Sequence, residues 1–225
     1  MFLRLIAKGF PTYGVARACG KVLLALILFV TPARAGEVTV LALGDSLTQG
    51  YGLAQGQGFV PRLEAWLEAR GHRVHLVNGG VSGDTTAGGA ARVEWSLTPQ
   101  VDAMIVALGG NDMLRGIAPG VARDNLQTIL RAAEERSVAV LLVGMQAPGN
   151  YGPEYKRAFD TMYPELAKAH DTLYFESFFK GLGTDDPGEA RAFFQPDGIH
   201  PNARGVERIV DAMGPAVVRL IQRAK

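Results

Sequence analysis

The chain has 225 residues, 48% of them hydrophobic, and a formal net charge of +1. That length suits one domain with a full core, and so even a charge balance excludes a basic nucleic-acid-binding surface. Its one cysteine, Cys19, lies near the N-terminus, so the body of the chain has no disulfide, thiol chemistry or cysteine metal site.

Residues 1–35 carry Arg4, Lys8, Arg17, Lys21 and Arg34 and no acidic residue. Residues 22–30 form an unbroken apolar run, followed by Thr31-Pro32 and Ala33-Arg34-Ala35. A basic start, a short apolar segment and a small-x-small site describe a secretory signal peptide. The nine apolar residues fall short of the roughly 20 that a spanning helix needs. Cleavage is expected after Ala35, leaving a single domain over residues 36–225, periplasmic or secreted, with no permanent membrane anchor. Cys19 precedes the apolar run, the wrong side for a lipid-modified cysteine. Removing the five leader cations from 23 leaves 18 basic against 22 acidic residues, a formal charge of −4.

Residues 38–42 are apolar or β-branched and predict a short buried strand, which breaks into Gly44-Asp45-Ser46. Such a strand end presents a serine hydroxyl where open α/β sheets bind ligands. Phe59, Leu63, Trp66 and Leu67 then mark one face of a helix closed by Gly71. Residues 74–77 predict a second strand, running into Asn78-Gly79-Gly80-Val81-Ser82-Gly83-Asp84-Thr85. Thr85 or Thr86 caps a helix that carries Ala90, Val93 and Leu97.

Residues 103–108 predict a third strand, ending in Gly109-Gly110-Asn111-Asp112. Pro119 opens a helix with Leu126, Ile129, Leu130 and Ala133 inward, and residues 138–143 make the fourth strand. A loop over residues 144–153 leads to a helix over residues 154–170, with a kink expected at Pro164. Residues 172–175 are a weak fifth strand, and residues 181–201 a long irregular segment. Val206, Ile209, Val210, Met213, Val217 and Leu220 mark a last helix, expected to be disturbed at Gly214-Pro215.

Strands alternating with helices imply parallel pairing through crossovers, and near-continuous apolar strands imply a sheet covered on both faces. The expected fold is a three-layer α/β/α domain with a parallel sheet of about five strands, in the flavodoxin-like order 2-1-3-4-5. The clusters around Ser46, Gly83 and Asn111 then emerge on one rim. A fourth cluster, Asp197-Gly198-Ile199-His200-Pro201, sets a carboxylate three residues from an imidazole. A serine hydroxyl needs a neighbouring base, the base needs a carboxylate to fix its tautomer, and the tetrahedral intermediate needs donors aimed at its oxyanion.

These four blocks, in this order over nearly the whole of residues 36–225, resemble the SGNH (GDSL-type) hydrolases. The likeness is greatest to the bacterial periplasmic thioesterase I/lysophospholipase L1/arylesterase group. The resemblance implies a serine esterase or thioesterase acting on acyl esters such as aryl esters, acyl-CoA thioesters and lysophospholipids. It makes Ser46 the nucleophile, His200 the general base and Asp197 its orienting carboxylate. The Ser46 and Gly83 N–H groups and the Asn111 amide become the oxyanion hole, and Asn150 and Tyr151 a substrate-side loop. It implies no cofactor or metal, a small acyl ester or lipid substrate, and a monomer.

Two other chemistries fit subsets of these residues. One is deacetylation of polysaccharide or cell-wall material on the same fold. The other is a metal-dependent phosphohydrolase with Asp45, Asn111, Asp197 and His200 as ligands. Tyr151, Tyr155, Tyr163, Phe178, Phe179, Phe193 and Phe194 are candidates for an acyl pocket, Tyr151 first among them. Asp45 and Asp112 read as local caps and Asp84 as bonding its own turn. His72, His75 and His170 read as structural or surface residues, without carboxylate partners.

Overall fold

The computed structural model describes residues 36–183 and 190–224. The leader and its cleavage site lie outside the described residues. Five strands form one parallel sheet: β1 (Val38–Gly44), β2 (Val74–Gly80), β3 (Ala103–Ala107), β4 (Ala139–Val143) and β5 (Leu173–Phe175). Their order is β2-β1-β3-β4-β5, the order expected from right-handed crossovers. The central strands are apolar at nearly every position because helices cover both faces. Edge strand β2 alternates instead, with Val74 and Leu76 inward and His75 and Val77 outward.

Helices α1 (Ser46–Gln49), α2 (Phe59–Glu68), α3 (Thr86–Ser96), α4 (Gly110–Leu114), α5 (Pro119–Glu135), α6 (Pro153–Ala169) and α7 (Ala203–Arg223) follow in chain order. On one side α2 packs on β2 and α7, and α7 on β4 and β5; on the other α3, α5 and α6 pack side by side. Each buries one stripe: Phe59, Leu63 and Leu67 from α2, Leu126, Ile129 and Leu130 from α5, and Val206, Ile209, Met213, Val217 and Leu220 from α7. Burying each such side chain stabilises the fold by about 1.5–3 kcal/mol.

Pro164 lies inside α6 and Gly214-Pro215 inside α7, and each helix runs on past its proline. In α7 the glycine lets α2 approach, since a Cβ at Gly214 would lie 2.6 Å from the Trp66 ring. The packing of α2 on α7 compensates the backbone bond that Pro215 cannot make.

What positions the site is register. Gly44 of β1 pairs with Gly80 of β2 and with Ala107 of β3. Three parallel strands therefore end level, and the chain leaving each one emerges on the same rim.

Candidate active site

The turn from β1 into α1 is tight. A Cβ at Gly44 would lie 2.0 Å from the Thr48 hydroxyl oxygen, so only glycine admits the helix this close behind the strand. Asp45 caps α1, its Oδ1 accepting from the Leu47 N–H at 3.0 Å. Ser46 is the first helical residue, where backbone N–H groups have no partner within the helix.

His200 arrives from the segment before α7, and its Nε2 lies 2.9 Å from Ser46 Oγ. Its Nδ1 lies 2.7 Å from Asp197 Oδ2. The other carboxylate oxygen, Oδ1, accepts from the N–H groups of Ile199 (2.9 Å) and His200 (3.0 Å). The backbone and ring bonds from His200, joined by the Ile199 N–H, hold the exposed Asp197 carboxyl down to about 2. A carboxylate fixed as an anion selects the tautomer with the proton on Nδ1 and leaves Nε2 as the acceptor facing Ser46. The Tyr51 ring lies tilted against His200 at 4.7 Å between centroids, and Gln195 Nε2 donates to the carbonyls of Tyr51 (2.8 Å) and Pro201 (3.0 Å).

Asn111, near the start of α4, donates from Nδ2 to the Asp84 carbonyl at 2.9 Å and to Asp45 Oδ2 at 3.3 Å. Gly83, at φ +79°, immediately precedes Asp84, and its carbonyl accepts from Arg115 Nη2 at 2.8 Å. Asp45 is 2% exposed. Burial pushes its carboxyl up to about 6, against the opposing pull of the Leu47 N–H, His200 and the Asn111 amide.

Ser46, Asn111 and His200 share the lining of a cleft of about 470 Å³ with Met113, Leu114, Met145, Phe179, Phe194 and Ile199. Of the aromatic candidates, Phe179 and Phe194 reach the cleft, 5.7 Å apart between centroids. Tyr163 and Phe178 are core residues instead. Asn150 and Tyr151 are exposed and stand outside the lining. Tyr151 packs on Tyr155 at 4.9 Å, and its hydroxyl donates to the Leu114 carbonyl at 3.3 Å, behind the cleft wall. The 144–153 loop is pinned to α6, because Ala147 N–H donates to Asp160 Oδ1 and Lys156 Nζ donates to the Ala147 carbonyl.

Several polar residues have partners that sequence spacing did not reveal. The Asp84 carboxylate bonds Arg92 of α3, while its N–H bonds within its own turn to the Val81 carbonyl. Asp112 spans two helices, accepting from both the N–H and the hydroxyl of Thr86. His170 Nδ1 lies 2.7 Å from Glu134, and His75 Nδ1 lies 3.4 Å from Glu64, so both have carboxylate partners. Among the described residues no group of three or more His, Cys, Asp or Glu side chains is placed to hold a metal ion. Asp45 and Asn111 instead bond each other, as do Asp197 and His200.

The chain matches the model of the GDSL-like lipase/acylhydrolase family over residues 42–208. It is 37% identical to the esterase TesA of Pseudomonas aeruginosa, over 88% of this chain and 96% of that protein. It is 34% identical to thioesterase 1/protease 1/lysophospholipase L1 of Escherichia coli strain K12, over 87% and 90% of the two chains. The crystal structure of AlinE4, an SGNH-hydrolase family esterase, superposes with a TM-score of 0.67 at 42% identity, covering 82% of this chain and 96% of that one. With the family's model spanning all four site blocks on a sheet of this topology, the chain belongs to the GDSL-like lipase/acylhydrolase (SGNH) family.

Proposed function

We propose that this serine ester hydrolase cleaves acyl esters and thioesters through a covalent acyl-enzyme on Ser46. The observation that carries the reading is the Asp197–His200–Ser46 relay, 2.7 and 2.9 Å between its members, at the mouth of an apolar cleft. Ser46 Oγ attacks the acyl carbon while its proton passes to His200 Nε2; Asp197 stabilises the imidazolium that forms. The carbonyl oxygen becomes an oxyanion received by the Ser46 and Gly83 N–H groups and Asn111 Nδ2. The tetrahedral adduct collapses, His200 returns the proton to the departing alkoxide or thiolate, and the acyl group stays on Ser46. Water, deprotonated by His200, then repeats the sequence to release the acid and restore the serine.

Met113, Leu114, Met145, Phe179, Phe194 and Ile199 give the acyl group apolar surroundings. This favours aryl esters, acyl-CoA thioesters and lysophospholipids over polysaccharide acetates. Each methylene buried there is worth about 0.8 kcal/mol, roughly fourfold in binding. Tyr151, bonded to the Leu114 carbonyl, and the adjacent Asn150 form the substrate-side loop of this reading, next to the cleft wall. A fluorophosphonate should add its mass to Ser46, and Ser46→Ala should lose both the adduct and ester hydrolysis. Full activity in that variant would refute the reading. A faster turnover of acetate than octanoate esters would favour the acetyl-esterase alternative.

Residues 1–35 are read as an export signal cleaved after Ala35, on the strength of their basic start and apolar run. The enzyme is then periplasmic or secreted, and we take it to act as a monomer. Among the described residues no helix is long and apolar enough to cross a membrane. N-terminal sequencing of the exported enzyme checks the cleavage site; a start other than Gly36 would move it.

A further inference from the structure

We propose that Arg92 is a positioning residue for the oxyanion hole, its guanidinium locking the end of the nucleophile strand to the loop that carries Gly83 and receives Asn111. The proposal rests on the oxyanion assignment given above. Arg92 projects from α3, and its side chain is 11% exposed. Nε donates to Asp84 Oδ2 at 2.8 Å and Nη2 to the Gly44 carbonyl at 2.9 Å.

Both acceptors are nodes. The Gly44 carbonyl, two residues before Ser46, also accepts the Val81 N–H at 3.1 Å. Asp84 is gripped along its whole length: its N–H donates to the Val81 carbonyl at 3.0 Å, and its own carbonyl accepts Asn111 Nδ2 at 2.9 Å. Its Oδ1 sits where a Cβ at Gly88 would be, 1.7 Å away, so the glycine in the first turns of α3 makes room for this carboxylate. One side chain thereby reaches, through a single intermediary each, the segments carrying all three assigned donors. Arg115, on the far side, holds the Gly83 carbonyl.

The geometry requires arginine. A guanidinium presents donors in a rigid fork and stays charged, whereas an ammonium is a single point on a flexible stem. A lysine here can keep Asp84 paired but lacks the fork that sets one nitrogen against Asp84 and another against Gly44. Misplacement of catalytic groups by about 1 Å costs up to about 10²-fold in rate. Such a loss falls on the transition state, because the oxyanion develops only there.

The test compares Arg92→Lys, Asn111→Ala and the double variant with the parent enzyme, using kcat, KM and inhibition by an alkylboronic acid, which forms a tetrahedral adduct on serine. Arg92→Lys retains a cation beside Asp84, which should keep the fold, and circular dichroism checks this. The expected result is a kcat about 10- to 100-fold lower at nearly constant KM, with boronate inhibition weakened in parallel. In the Asn111→Ala background the same change should cost several-fold less than in the parent, because one of the three donors being aligned is gone. Asp84→Asn should reproduce the Arg92→Lys phenotype. Unchanged kcat, a rise in KM alone, or an equal penalty in both backgrounds overturns the role of Arg92 and leaves the oxyanion assignment standing. Parent-like turnover in Asn111→Ala overturns both.

Discussion

The two carboxylates closest to the reaction, Asp45 and Asp197, are held in opposite ways, and so are the two halves of the site. Asp45 is buried at the sheet rim and its carboxyl is pushed up to about 6. Asp197 is exposed on the turn before α7, yet two backbone N–H groups and the imidazole hold it down to about 2. Burial without enough donors disfavours the anion, while aimed donors favour it even in water. The half that carries Ser46 and Asn111 is built into the core; the half that carries His200 is a local turn braced by side chains.

That contrast can be broken at four points. The largest effect is expected at the exposed carboxylate. Asp197→Asn keeps the shape but removes the charge that selects the His200 tautomer, and kcat should fall by about 10⁴-fold. Stability should change little, since the side chain is solvent-exposed. Steady-state ester hydrolysis beside a urea melt separates the two readouts, and a drop of less than tenfold would contradict the relay.

The buried carboxylate should behave in reverse, with stability the larger readout. Its folded pKa lies above the unfolded value of 3.8, so the folded state binds the extra proton between the two values. Stability therefore falls as pH rises from about 4 to about 6, and the cost of the anion is fully present above that window. A rise of two units corresponds to about 3 kcal/mol. Asp45→Asn should remove this slope and be the more stable protein at pH 8 but not at pH 4. Urea unfolding at both pH values checks it, and a parallel loss at both would show that Asp45 is instead net stabilising as an anion.

Gln195 tests the brace of the half that carries His200. Gln195→Ala frees the Tyr51 and Pro201 carbonyls that flank the His200 ring. Each lost hydrogen bond is worth about 0.5–1.5 kcal/mol, so kcat should fall about tenfold with KM nearly unchanged. The smallest effect belongs far from both halves: Trp95, 72% exposed on α3, should tolerate alanine within about 0.5 kcal/mol in a thermal melt.

Much of the rim half was legible because its signals are local. Gly44-Asp45-Ser46 and Gly109-Gly110-Asn111 each interrupt an apolar run, and parallel pairing then brings the breaks together. Asp197 and His200 were legible as a pair because a short turn joins them, though periodicity alone did not bring them to Ser46. What stayed hidden was the destination of long side chains. Arg92 sits on α3 like any helix arginine, and its acceptor Gly44 is 48 residues away. His170 and Glu134 meet across 36 residues. Met113 and Met145 carry no spacing signal, because methionine fills irregular gaps and reads as ordinary core. Tyr151 is ambiguous for a related reason: an aromatic beside glycines is equally suited to a pocket and to the wall behind it.

The level ending of β1, β2 and β3 has a consequence for how this enzyme can change. Gly44 pairs with Gly80 and with Ala107, so the backbone ladder sets the spacing of the chemical groups. The cleft walls come from the loops and short helices beyond the strands: Met113 and Leu114 from α4, Met145 from beyond β4, and Phe179, Phe194 and Ile199 from the segment before α7. Wall residues therefore sit beside Asn111 on α4 and beside His200 before α7, but at separate positions of the chain. Libraries confined to Met113, Met145, Phe179 and Phe194 can retune acyl preference while the hydrolytic step stays constant.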